Sequence, residues 1–193
     1  MILAPTGHCV LNFDTNNSAH AGLRKKILKA AALAGKRAAK EGLTAERTNE
    51  AGNCLERYVR AAFREAGLEA RVPVNKTGEA QAAGYPDVGI TGPTPCYLDL
   101  KTYGATTANT TQRSFYYSPS AHPNVTRDAL HFLLAFQLEK TVRDGKTVFV
   151  PVHWKLITLQ DLLVDLKFEF NQSNRGLYGA AAAQALLAEE EVK

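Results

Sequence analysis

Gly84-Tyr85-Pro86-Asp87-Val88-Gly89-Ile90-Thr91-Gly92-Pro93-Thr94-Pro95-Cys96-Tyr97-Leu98-Asp99-Leu100-Lys101-Thr102-Tyr103 is the stretch whose reading decides the fold. Val88-Gly89-Ile90 reads as the end of one strand, closed by the turn residues Thr91-Gly92-Pro93. Cys96 to Tyr103 reads as a second strand. Alternate side chains of a strand point to one side, so Asp99 and Lys101 share a face of the sheet, with Asp87 one strand away. Two carboxylates suit a hard divalent cation such as Mg²⁺. The lysine suits a phosphate or the water that attacks it, and the set fits metal-assisted phosphodiester cleavage. The plainer reading puts Asp87 in a turn after Pro86, and Asp99 and Lys101 on the solvated face of an antiparallel strand. Tyr97, Leu98, Leu100 and Tyr103 are too apolar for an ordinary edge strand, which favours the charged cluster.

Upstream, the spacing predicts a helix from Thr44 to about Ala66. Leu55, Tyr58, Val59, Ala62 and Phe63 form one stripe, and Gly67 is placed to end the helix. Glu56 lies one step from Leu55, about 100° around the axis, so it borders the apolar face. Glu50 looks outward. Glu56 either turns to the charged cluster or pairs with Arg60, four residues on.

Pro86-Asp87 followed by Asp99-Leu100-Lys101, behind a glutamate-bearing helix, resembles the PD-(D/E)xK nuclease superfamily in its D-x-K form. The likeness is strongest to type II restriction endonucleases. The motif alone is loose, and its placement on strands and after a helix carries the resemblance. It covers roughly Asn53 to His153. It implies an α/β fold with a central mixed β-sheet flanked by helices, a restriction-endonuclease-like core. It further implies Mg²⁺ held by Asp87 and Asp99, with Lys101 orienting the attacking water. Glu56 then positions the metal shell or Lys101. The substrate is double-stranded DNA, cut to 5′-phosphate and 3′-hydroxyl ends, and a two-fold homodimer would cut both strands of a palindrome. A structure-selective nuclease, such as a Holliday-junction resolvase or repair nuclease, uses the same residues. A DNA-binding module without catalysis is the remaining alternative, and the joint presence of Asp87, Asp99 and Lys101 argues against it.

The 193 residues suffice for one domain with a substantial core. We expect a single nuclease domain over 1–193, made of a basic helical extension (1–43), a catalytic core (44–170), and a recognition loop with a C-terminal helix (171–193). Residues 21–40 hold Arg24, Lys25, Lys26, Lys29, Lys36, Arg37 and Lys40 and no acid, although the whole chain carries only +4. Such a segment fits contact with a polyanion through Lys25, Lys26 and Lys29. A solvated surface helix with a weak stripe of Leu23, Ile27, Ala30, Ala31 and Ala34 fits as well. Cys9, Cys54 and Cys96 have no metal or disulfide spacing. The N-terminus does not read as a signal peptide, and no apolar run reaches membrane-spanning length. No G-x-x-x-x-G-K-[ST] is present, so no nucleotide cofactor is expected. The expected compartment is the cytoplasm.

Elsewhere, Leu68–Val74 reads as a strand, and residues 104–124 as a long polar loop. Leu130–Leu138 is apolar throughout and fits a strand buried on both faces. Arg143-Asp144-Gly145-Lys146 marks a hairpin, with Val148–Trp154 as the returning strand. Pro151 requires an edge or a bulge there. Thr158 is placed to cap a helix over Leu159–Leu166, and residues 176–190 read as a terminal helix. Two segments combine guanidinium, amides and aromatics, Thr111–Ser118 and Asn171–Tyr178. Gln112, Arg113, Asn174 and Arg175 in them are candidate base-edge or phosphate contacts, or belong to ordinary solvated loops. The histidines show no metal spacing, and His131 reads as a core or rim residue.

Overall fold

The apolar run from Leu130 becomes the longest strand of a six-stranded sheet. The structure is a computed structural model that describes residues 2–80, 84–111, 115, 117 and 120–163. Its elements are α1 (Leu3–Thr6), α2 (Ser18–Glu41), β1 (Leu43–Thr44), α3 (Thr48–Glu65), β2 (Glu69–Arg71), β3 (Val88–Thr91), β4 (Cys96–Gly104), β5 (Leu130–Arg143) and β6 (Lys146–Thr158). The sheet order is β1-β6-β5-β4-β3-β2. Only β4 and β5 are parallel; the other pairs are antiparallel. This is the mixed α/β sheet the motif implied.

Leu130, Leu134 and Phe136 of β5 are buried to 1% exposure or less, because the strand has a neighbour on each side and a layer on each face. The hairpin that follows is the expected one: Asp144 (φ 49°) and Gly145 (φ 72°) form the two-residue turn between paired Arg143 and Lys146. Both expectations for Pro151 are met. Gln137 pairs with His153 and Leu138 with Pro151, so Val152 is the extra residue of a bulge. β1 covers only Val148 and Phe149, which leaves the outer edge of β6 open at Pro151.

One face of the sheet packs under α2 and α3. Leu23, Ile27, Ala30, Ala31, Ala34 and Ala38 of α2 are all buried there. The stripe looked weak because alanine is weakly apolar. Its small size instead lets the helix approach closely: a Cβ on Gly35 would lie 3.4 Å from Phe136. Asn17 caps α2 by accepting from the Ala19 and His20 N–H groups. The opposite face carries a smaller cluster of Ile2, Tyr85, Tyr97, Val125, Ala129 and Leu159.

Three expectations need correction. The helix expected from Thr44 starts at Thr48, because Leu43 and Thr44 pair with Phe149 and Val148 as β1. The strand expected over Leu68–Val74 is only β2, with Pro73 following and Val74 in an isolated bridge to Ala80. The helix expected from Leu159 is absent through 163, where the chain turns. There the Leu159 N–H donates to the His131 carbonyl at 2.9 Å, prolonging the sheet's pairing. The rest of that helix, and the one expected over 176–190, lie outside the described residues. Among the described residues of 105–129, a 3-10 turn (Ala105–Thr107) is the one helical piece. No described helix is long and apolar enough to cross a membrane. Cys9, Cys54 and Cys96 are free thiols.

Candidate active site

β3 begins at Val88, paired with Leu98, so among the described residues β4 has no strand on that side from Asp99 onward. Asp87 closes this open edge: its Oδ2 accepts the Leu100 N–H at 2.6 Å. The pairing of β3 and β4 thereby sets the Asp87 carboxylate beside Asp99. Asp99 is 3% exposed. The Lys101 Nζ lies 2.6 Å from Asp99 Oδ2 and 3.4 Å from the Leu100 carbonyl. Burial, and then the charge of Asp87, push the Asp99 carboxyl up to about 7 against the opposing pull of Lys101. The solvated reading of Asp99 and Lys101 is therefore not what the fold builds.

α3 sits on β4 through its first turns. Thr102 Oγ1 donates to the Thr48 carbonyl at 3.1 Å, and a Cβ on Gly52 would lie 3.1 Å from that hydroxyl. A glycine inside a helix is the sequence signal for this close approach. One turn on, the Glu56 carboxylate is partly buried and bonds Arg60 at 2.7 Å. Burial raises its pKa most, Arg60 lowers it, Asp87 raises it, and Lys101 lowers it. Glu56 thus forms its pair with Arg60 and also feels the cluster. Glu50 is exposed, and its Oε2 accepts the Glu46 N–H at 3.1 Å.

Tyr85 and His131 join the site without an advance signal. The Tyr85 hydroxyl is 2.5 Å from His131 Nδ1, and the two rings stack at 5.8 Å. Phe115 and Tyr117 close on Tyr85 edge-on at 5.7 Å. The contact ties the segment bearing Asp87 to β5. Burial pushes His131 down to about 4, so the ring is neutral. Its Nε2 has no partner among the described residues. The two residues are 46 positions apart, so only the register of β5 reveals the pair.

Lys25, Lys26 and Lys29 are exposed on α2, and Lys26 Nζ lies 3.4 Å from the Gly67 carbonyl, just past the end of α3. The structure does not bring them to the Asp99–Lys101 cluster. Gln112, Arg113, Asn174 and Arg175 lie outside the described residues.

Among the described residues, no three or more His, Cys, Asp or Glu side chains gather as a metal cage. Asp87 and Asp99 nevertheless fit a Mg²⁺ ion that shares its coordination with water and a phosphate. Burial and then the Asp87 charge raise Asp99, and a bound cation would offset both.

The fold is an α/β architecture compatible with a restriction-endonuclease-like core. The profile of the type II restriction enzyme MjaV family matches residues 1–181, and the chain belongs to that family. It is 36% identical over 149 residues to Type II restriction enzyme MjaV of Methanocaldococcus jannaschii, a match taking in 72% of this chain and 63% of that protein. The chain therefore spans less than two thirds of that relative's length. No solved structure matches it.

Proposed function

We propose that the chain is a Mg²⁺-dependent type II restriction endonuclease of the PD-(D/E)xK kind. It hydrolyses double-stranded DNA at a specific sequence, leaves 5′-phosphates, and acts as a homodimer. The observation that carries this reading is the buried Asp99 carboxylate set between Asp87 and Lys101 at the open edge of β4. Family membership supports the substrate class.

In this mechanism Asp87 and Asp99 hold Mg²⁺, which supplies Lewis acidity toward the phosphate and its attacking water. The Leu100 N–H fixes the Asp87 carboxylate so that it does not swing into solvent. Lys101, held beside Asp99, donates to the attacking water and to the phosphate oxygens as their negative charge grows. Glu56 is a positioning residue that biases Asp87 and Lys101 through its charge. The Tyr85–His131 contact holds the turn that carries Asp87.

Plasmid digestion tests the proposal. Discrete fragments with Mg²⁺, none with a chelator, and none from Asp99→Asn are expected. Cleavage confined to branched junctions would replace sequence recognition with shape recognition. Equal cleavage by wild type and Asp99→Asn would remove the site.

A further inference from the structure

Lys101 of β4 pairs with Ala135 of β5, and Ala135 pairs with Lys155 of β6. Residues in one such row point to the same face of a sheet, and neighbouring strands lie about 4.8 Å apart. Two ammonium side chains therefore rise from one row, about 10 Å apart at the backbone. Within that row the residue between them, Ala135, contributes only a methyl group. Lys155 leans back over the gap, with its Nζ 5.8 Å from the centre of the Tyr103 ring, and Tyr103 is the next residue on Lys101's side of β4. The following row adds Gln137 and an exposed His153. Lys101 is committed to Asp99 at 2.6 Å. Lys155 is exposed and has no carboxylate partner among the described residues.

We propose that Lys155 is a second phosphate-binding residue, which grips a backbone phosphodiester of bound duplex DNA beside the group attacked at Asp99 and Lys101. This inference rests on the nuclease reading of that site. A cation with no carboxylate partner among the described residues, in the same row as the proposed reacting lysine, suits an anion that arrives as a chain of regularly spaced charges. The Tyr103 ring, 5.8 Å from Nζ, draws the exposed ammonium toward the gap. Such a contact carries no sequence information, so it serves cognate and random DNA alike. Lys155 thus sets the lie of the backbone over the site, while discrimination belongs to other residues.

The test is binding of the full chain to a duplex in chelator, followed at several salt concentrations, so that no cleavage is needed to read it. Lys155→Gln should weaken binding and lower the slope of log affinity against log salt by about one. Lys155→Arg should keep the slope. Lys146→Gln supplies the control: it makes the same charge change at the exposed hairpin, about 30 Å along β6. It should leave the slope near wild type. Equal effects of Lys155→Gln and Lys146→Gln would overturn the inference, as would a wild-type chain that does not bind duplex DNA. The underlying nuclease reading fails separately, if wild type with Mg²⁺ leaves plasmid intact.

Discussion

Under α2 and α3 the sheet presents Leu98, Phe132, Leu134 and Phe136, an apolar surface interrupted by the Thr102 hydroxyl. The same two strands turn Tyr97, Asp99, Lys101 and His131 to the other side, where buried carboxyl and imidazole groups replace aliphatic ones. Strand alternation makes this division possible: one set of residues holds the fold while its neighbours form the proposed site. The helix face gains from every buried atom. The opposite face keeps groups that the fold would be more stable without.

Asp99→Asn should have the largest effect on function and an opposite one on stability. Cleavage should fall on the order of 10²-fold or more, as expected when a carboxylate that would hold the charge-stabilising metal is lost. The Asp99 carboxyl sits at about 7 in the fold, above the ordinary 3.8 of an exposed one. Below about pH 4 both folded and unfolded chains hold the proton. Between about pH 4 and 7 the unfolded chain has lost it while the fold retains it, so wild type loses stability as pH rises. Above 7 the loss is complete. Melting of metal-free protein across this range should show Asp99→Asn gaining on wild type up to pH 7, and Mg²⁺ stabilising wild type alone at pH 8. A flat difference with pH would show that Asp99 is not strained by its surroundings.

Phe136→Ala strikes the other face. Phe136 is fully buried beneath Gly35 of α2. Its truncation should cost about 3–5 kcal/mol in urea unfolding. Cleavage by the protein that remains folded should be little changed.

Tyr85→Phe lies on the side of the proposed site, with a smaller expected effect. The ring can still stack on His131, but Nδ1 loses its partner, and the second nitrogen already lacks one among the described residues. About 1–3 kcal/mol should be lost. More Mg²⁺ should be needed for half-maximal cleavage, since Asp87 lies two residues on. Unchanged Mg²⁺ dependence alongside lower stability would reduce the pair to a structural role.

The same division explains which parts of the molecule could be read from residues alone. β5, the Asp144-Gly145 turn and the Pro151 bulge carry local signals, since continuous apolarity, positive φ and a missing N–H each restrict the backbone within a few residues. So do β3 and β4, whose pairing follows from a short turn and sets Asp87 beside Asp99. β1 has no such signal: two residues become a strand only because Val148 and Phe149 lie alongside. Leu159 carries the signal of a helix that Thr158 could cap, but its N–H bonds the His131 carbonyl across the sheet instead. The alanine face of α2 gives a weak apolar signal because close approach, not hydrophobicity, determines its burial. Tyr85 and His131 meet only through the register of β5.

Glu56 and Glu50 give the finest comparison, since both lie on α3 and differ in which way they face. Glu50 is exposed and accepts the Glu46 N–H at the entry to the helix. Glu50→Gln should lose at most about 1 kcal/mol of stability through this end contact, and leave cleavage unchanged. Glu56 has 30% of its side chain exposed and pairs with Arg60. A pair that accessible contributes about 0–1 kcal/mol, so Glu56→Gln should also melt close to wild type. Asp87 and Lys101 both act on the Glu56 carboxylate, so its charge is coupled to the cluster. Removing the charge should therefore lower cleavage several-fold with little change in DNA binding. Arg60→Gln separates the two roles Glu56 could play. If the pair with Arg60 is what matters, Arg60→Gln should reproduce the loss of activity. If the carboxylate acts on the cluster itself, Arg60→Gln should leave cleavage much nearer wild type than Glu56→Gln does. Equal activity in Glu56→Gln and Glu50→Gln would place Glu56 outside the reaction altogether and return it to a surface ion pair.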